Sequence, residues 1–93
     1  MTDQYTDGNA LAGPLMEIFG SDMSMAQRTC AYCGDHGMFA QVHVYDHAPG
    51  VVARCPSCQQ VNMRLVRTPD RAWLDLRGVV ALEIPLAAPA EPA

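Results

Sequence analysis

Four cysteines stand in two matched pairs, Cys30-Ala31-Tyr32-Cys33 and Cys55-Pro56-Ser57-Cys58, with 21 residues between the pairs. Two intervening residues let one tight turn aim both of its sulfurs at a single ion while nearby backbone N–H groups face the thiolates. Two such turns side by side supply four sulfurs in a tetrahedron, each about 2.3 Å from the metal. The interval slightly exceeds the ~15–20 residues usual between such pairs, and a longer hairpin absorbs the difference. The chemistry indicated is a closed, structural Zn2+ site on Cys30, Cys33, Cys55 and Cys58. Gly34 suits a turn that needs positive φ after the first pair, and Pro56 stiffens the second. At Gln59 the second turn lacks the matching glycine.

Three other chemistries compete. A redox pair wants one exposed cysteine of low pKa at a helix N-terminus, whereas both pairs here lie between strand-like stretches. A catalytic zinc keeps an open position and a nearby base, which four matched cysteines do not leave. The third is iron. Cys55-Pro56-Ser57-Cys58 resembles the second cysteine loop of rubredoxins, and four thiolates hold iron as well as zinc. Rubredoxins have a wider separation and an aromatic core, while this chain has one tryptophan, Trp73. His36, His43 and His47 are spare donors, and His36 is placed to hydrogen-bond a sulfur from just beyond the first turn. No nucleophile–base pair or acid-rich pocket is legible, so no enzyme is expected.

The elements that position the cysteines follow from turn signals and periodicity. Met1 to Thr6 reads as frayed. Asp7 is an N-cap for a short helical piece, Gly8 to Ala12. Gly13-Pro14 should interrupt it, and Leu15 to Phe19 should form a second piece closed by Gly20. Leu11, Leu15, Ile18 and Phe19 then share a face packed over a small sheet. Gln27 to Thr29 leads as a strand into Cys30. Met38 to Tyr45 reads as a strand with Met38, Ala40, Val42 and Val44 on one face and Phe39, Gln41, His43 and Tyr45 on the other. His47-Ala48-Pro49-Gly50 is a turn, and Val51 to Arg54 returns to Cys55. Val61 to Arg67 sets Val61, Met63 and Leu65 against Asn62 and Arg64. Thr68-Pro69-Asp70 turns into a strand over Arg71 to Arg77, and Val79 to Ile84 is a last apolar piece.

The expected fold is small α+β or mainly β: a zinc ribbon of antiparallel hairpins with a short N-terminal helix. Residues 1–24 form the helical segment, 25–86 the ribbon domain, and 87–93 a disordered Ala/Pro tail. A chain of 93 residues buries only roughly 60–65 % of its unfolded surface. A metal is one of the usual remedies for so thin a core.

The net charge of −4 supplies no global field for nucleic acid or an anionic membrane. No basic n-region, apolar h-region or membrane-length apolar run is present. The expected setting is therefore the reducing cytoplasm, where paired cysteines bind metal rather than each other. Charge is uneven, however. Arg54, Arg64, Arg67, Arg71 and Arg77 cluster between residues 54 and 77, with only Asp70 and Asp75 against them. If Ala72, Leu74 and Leu76 face inward, Arg71, Trp73, Asp75 and Arg77 face outward, with Arg64 beside them. Such a face suits a protein partner or stacked bases. The plainer alternative has Trp73 covered by the N-terminal helix and the arginines paired with Asp7, Glu17 or Asp22.

Several stretches together resemble a small bacterial family known as a domain of unknown function and similar to zinc ribbons. They are Asp7-Gly8-Asn9-Ala10-Leu11-Ala12-Gly13-Pro14-Leu15, Cys30-Ala31-Tyr32-Cys33-Gly34, His47-Ala48-Pro49-Gly50, Arg54-Cys55-Pro56-Ser57-Cys58, and the run from Arg67 to Gly78. The resemblance covers Asp7 to Leu86 and implies no activity. It implies a small accessory to a flavin- or molybdenum-dependent oxidoreductase. The functional expectation is a non-enzymatic module that binds a protein through Arg64, Arg71, Trp73 and Arg77. Nucleic-acid binding and rubredoxin-like electron transfer are the alternatives.

Overall fold

The structure is a computed structural model that describes residues 5–20, 23–47 and 50–86, without the side chain of His47. The Asp7 carboxylate accepts the Asn9 N–H at 3.1 Å and caps a short 3-10 turn, Gly8–Leu11. Helix α1, Ala12–Phe19, follows directly and ends where Gly20 adopts φ 70°. The expected break at Gly13-Pro14 is absent. Pro14 lies in the first turn of α1, where its missing N–H has no acceptor within the helix to lose, and the change of helix type falls at Leu11 instead.

Seven strands follow: β1 Gln27–Cys30, β2 His36–Met38, β3 His43–His47, β4 Gly50–Arg54, β5 Val61–Thr68, β6 Arg71–Asp75 and β7 Val79–Glu83. All pairs are antiparallel. They form a three-stranded sheet of order β2-β1-β7 and a four-stranded sheet of order β3-β4-β5-β6. The chain leaves the small sheet after β2 and returns to it as β7.

The single strand expected over Met38 to Tyr45 is broken by a 3-10 turn, Phe39–Gln41. That turn swings Phe39 into the core, against the alternation that placed it opposite Val42 and Val44. Tyr5 and Thr6 are not frayed. Thr6 and Val44 exchange backbone hydrogen bonds at 2.9 and 2.7 Å, and the Tyr5 ring stacks on His43 at 3.9 Å. Residues 1–4, Asp22, Ala48-Pro49 of the expected turn, and the tail 87–93 lie outside the described residues. The pairing of His47 with Gly50 fits a turn between them.

One face of the large sheet is apolar. Val44, Ala53, Met63 and Leu65 pack there with Leu11, Leu15, Met23, Phe39 and Val42. Ile18 and Phe19 reach this core less than the helical spacing suggested and stay partly exposed. Among the described residues no helix is long and apolar enough to cross a membrane.

Candidate metal centre

Each cysteine pair forms the turn of a hairpin, the first between β1 and β2 and the second between β4 and β5. The two turns repeat one backbone pattern. In the first, Cys30 N–H donates to Asp35 O at 2.9 Å, Gly34 N–H to Cys30 O at 3.0 Å, and Tyr32 N–H to Cys30 Sγ at 3.4 Å. In the second, Cys55 N–H donates to Gln60 O at 2.9 Å, Gln59 N–H to Cys55 O at 2.9 Å, and Ser57 N–H to Cys55 Sγ at 3.4 Å. Gly34 sits at φ 78° and Gln59 at φ 66°. The second turn thus demands the left-handed conformation that the first fills with glycine, and Gln59 bears its steric cost.

All four sulfurs lie within 4.8 Å of one another, with Cys30–Cys58 and Cys33–Cys55 at 3.7 Å. A disulfide requires about 2.05 Å. A tetrahedral ion with bonds of about 2.3 Å requires edges of about 3.8 Å. The donor set therefore fits a four-coordinate metal ion, and the thiols are free. Because one knuckle belongs to each sheet, an ion held by Cys30, Cys33, Cys55 and Cys58 ties the two sheets together.

Cys30 and Cys55 are buried, while Cys33 is exposed. The two buried sulfurs each receive a side-chain donor. Asn62 Nδ2 donates to Cys30 Sγ at 3.3 Å and to Gly78 O at 2.9 Å. Arg28 donates to Cys55 Sγ at 3.5 Å and to Asp35 Oδ2 at 2.8 Å. Four thiolates around a divalent ion leave a net charge of −2, and the buried Arg28 offsets part of it. Asn62 Oδ1 and Arg28 Nε are buried without a partner.

Two bulges flank the centre. Pairing steps from Thr29–Ala81 to Cys30–Val79, and from Ala53–Met63 to Arg54–Val61. The second leaves Asn62 as the extra residue and aims it at Cys30. Asn62 was expected on the polar face of β5 and is instead 0 % exposed. Gly78 admits this approach, since a Cβ there would lie 1.9 Å from Val61 O and 2.7 Å from Asn62 Cα.

The metal-free sulfurs are unequal acids. Burial pushes Cys30 up, but hydrogen bonds from the Cys33 backbone, Asn62, the Tyr32 backbone and Cys58 outweigh it and lower the thiol to about 6. At Cys33 the Asp35 backbone favours the thiolate, yet desolvation and the neighbouring sulfurs push it up to about 12. Cys58 is also raised: the Gln60 backbone lowers it, and desolvation and Cys30 outweigh that.

His36 does not meet a sulfur. Its ring contacts Thr29 Oγ1 at 3.0 Å, Gln27 Oε1 at 2.7 Å and Glu83 at 3.3 Å. His43 lies under Tyr5. Of the expected partner face, Arg64, Arg71 and Trp73 share the outer side of the large sheet, because Arg64 pairs with Asp75 and Val66 with Trp73. Trp73 is 54 % exposed and not covered by the helix. Arg77 follows β6 and holds Asp75 through Nε at 3.1 Å. The arginine that pairs with Glu17 is Arg67.

Sequence reasoning missed Arg28 and Asn62. For Arg28 a signal existed, since two residues before Cys30 on a strand is the same face. For Asn62 none did, because a bulge leaves no trace in alternation.

No curated protein and no solved structure matches this chain. The model of one family, described as a family of unknown function (DUF6510), matches residues 2–87. That span takes in both knuckles, Arg28, Asn62 and Gly78, and the chain belongs to the DUF6510 family.

Proposed function

We propose that this chain is a non-enzymatic zinc-ribbon module of the cytoplasm that binds a protein partner through Arg64, Arg71, Trp73 and Arg77. The observation that carries the reading is the set of four sulfurs within 4.8 Å of one another; with all four on one ion, a tetrahedral shell would have no position left for substrate. Zinc suits that shell as a structural ion. Exposed tryptophan and arginine on one sheet face are the residue types that dominate interfaces. An accessory role beside a redox enzyme is the setting that the family resemblance implies.

The test is affinity purification of the tagged chain from its host, with metal analysis of the same sample. The reading expects colourless protein with zinc and a stoichiometric partner lost on replacing Arg64, Arg71, Trp73 and Arg77 together. A partner retained by that variant contradicts it, and a red iron form supports electron transfer instead.

A second reading is single-stranded nucleic acid. Tyr45, Arg54, Arg64, Arg71 and Trp73 share the outer sheet face, with Arg54 set over the Tyr45 ring at 5.9 Å. Aromatic rings among arginines are a stacking platform. The net charge of −4 opposes it. Oligonucleotide affinity that falls steeply with salt supports this reading.

A further inference from the structure

Strand β6 pairs with β5 along one edge, and among the described residues no strand pairs its other edge. An open groove lined by residues 72–77 runs along it. Arg71, Ala72 and Trp73 are exposed. Free edges invite pairing with another chain, and proteins commonly blunt them with charge. Like charges would repel in self-pairing. Here the two charges are opposite, and they stand symmetrically about the tryptophan: Arg71-Ala72-Trp73-Leu74-Asp75.

We infer that β6 is a dimerisation edge, at which two copies pair antiparallel about Trp73 and join their four-stranded sheets into one of eight strands. In that register Arg71 stands opposite the partner's Asp75, Trp73 opposite the partner's Trp73, and Ala72 opposite the partner's Leu74. The charged and aromatic pairs share the outer face, and the small–large apolar pair takes the inner one. The two-fold axis passes through the Trp73 pair and makes the Arg71–Asp75 and Ala72–Leu74 contacts twice, as a self-complementary interface requires. Opposite charges and aromatic pairs placed directly across strands each favour pairing. Asp75 is already held in place, with Arg77 N–H at 3.0 Å and Arg77 Nε at 3.1 Å on Oδ1. Across β5 its neighbour is Arg64. A charge row then runs Arg64, Asp75, the partner's Arg71.

This inference rests on reading Arg71 and Trp73 as an interaction surface, and it names a second copy as the occupant. The test is sedimentation velocity of the metal-loaded full chain over a dilution series, with four samples: the native chain, Arg71→Asp, Asp75→Arg, and the two variants mixed in equal amounts. The native chain is expected to shift from 10.1 kDa towards twice that mass as concentration rises, with a matching change in Trp73 fluorescence. Each substitution alone sets like charges across the axis and should weaken self-association at least about tenfold. The mixture sets opposite charges across it again and should restore a one-to-one dimer, which simple misfolding of either variant would not do. Metal content and circular dichroism of each variant report its fold. A native chain that stays at 10.1 kDa throughout overturns the inference, as does a dimer that neither substitution weakens. Loss of a host protein from the four-residue variant, read on a monomeric chain, would still uphold the partner face, so the two readings fail separately.

Discussion

Asn62 offers the sharpest test of how the protein supports its sulfurs. Its amide donates to Cys30 Sγ and to Gly78 O while its own Oδ1 has no partner. Replacing it with leucine, which has nearly the same size, removes a hydrogen bond to a charged acceptor, about 1.5–3 kcal/mol, and an ordinary one of about 1 kcal/mol. Gly78 O keeps the Ala31 N–H at 2.9 Å, so it is not orphaned. Losing the unpartnered Oδ1 returns about 1 kcal/mol or more. Asn62→Leu should therefore cost about 1–3 kcal/mol.

Asn62→Asp is nearly isosteric and should be much worse. It turns a donor into an acceptor 2.9 Å from a carbonyl oxygen and 3.3 Å from a sulfur, at a site that is 0 % exposed. An uncompensated buried charge costs several kcal/mol, so the total should exceed about 4 kcal/mol. Urea unfolding of the metal-loaded variants, with metal retention against a graded chelator, measures both. An Asp variant within about 1 kcal/mol of the Leu variant would refute the role given to the amide.

Three further outcomes follow from particular residues. Gln59→Gly should be neutral to stabilising by up to about 1 kcal/mol, whereas Gly34→Gln should cost about 1–2 kcal/mol, because both positions need positive φ; thermal melts of the pair check this. Trp73→Ala should leave the stability of the dilute, monomeric chain within about 0.5 kcal/mol, since the ring is 54 % exposed and lies outside the core of its own chain; a large fall in the melting midpoint at that dilution would mean that the ring packs within its own chain. In the metal-free chain Cys30 lies near 6, below its ordinary 9.0, so its contribution to stability is present above 9.0 and is lost as pH falls through about 6. Cys33, near 12, contributes below 9.0 and loses that contribution as pH rises through about 12. Metal uptake at neutral pH should accordingly release protons from Cys33 and Cys58 but little from Cys30, as calorimetry in buffers of different ionisation enthalpy would read.

The metal centre was legible because thiolate chemistry fixes its own spacing. Cys-x2-Cys between two strand-like stretches selects the N–H···S turn over a helical redox pair, and Gly34 announces its own φ. Asp7, Gly20 and the Thr68-Pro69-Asp70 turn were legible for the same local reason. What hid were decisions made by tertiary contact. Phe39 turns inward because a 3-10 turn replaces a strand in which alternation would have put it outside. Asn62 and Arg28 are buried polar residues made tolerable by the sulfurs together with Gly78 O and the Asp35 carboxylate. Gln59 takes a backbone conformation that its side chain disfavours, because the second knuckle has the shape of the first. Pro14 misled through a rule about helix interiors applied to a first turn.

One metal ion on four thiolates would tie the two sheets together. Native mass spectrometry of the chain purified without added metal tests this most directly. The expected result is a folded chain carrying one divalent ion on Cys30, Cys33, Cys55 and Cys58. A folded chain at the bare mass, or one lighter by the hydrogens of two disulfides, would contradict it.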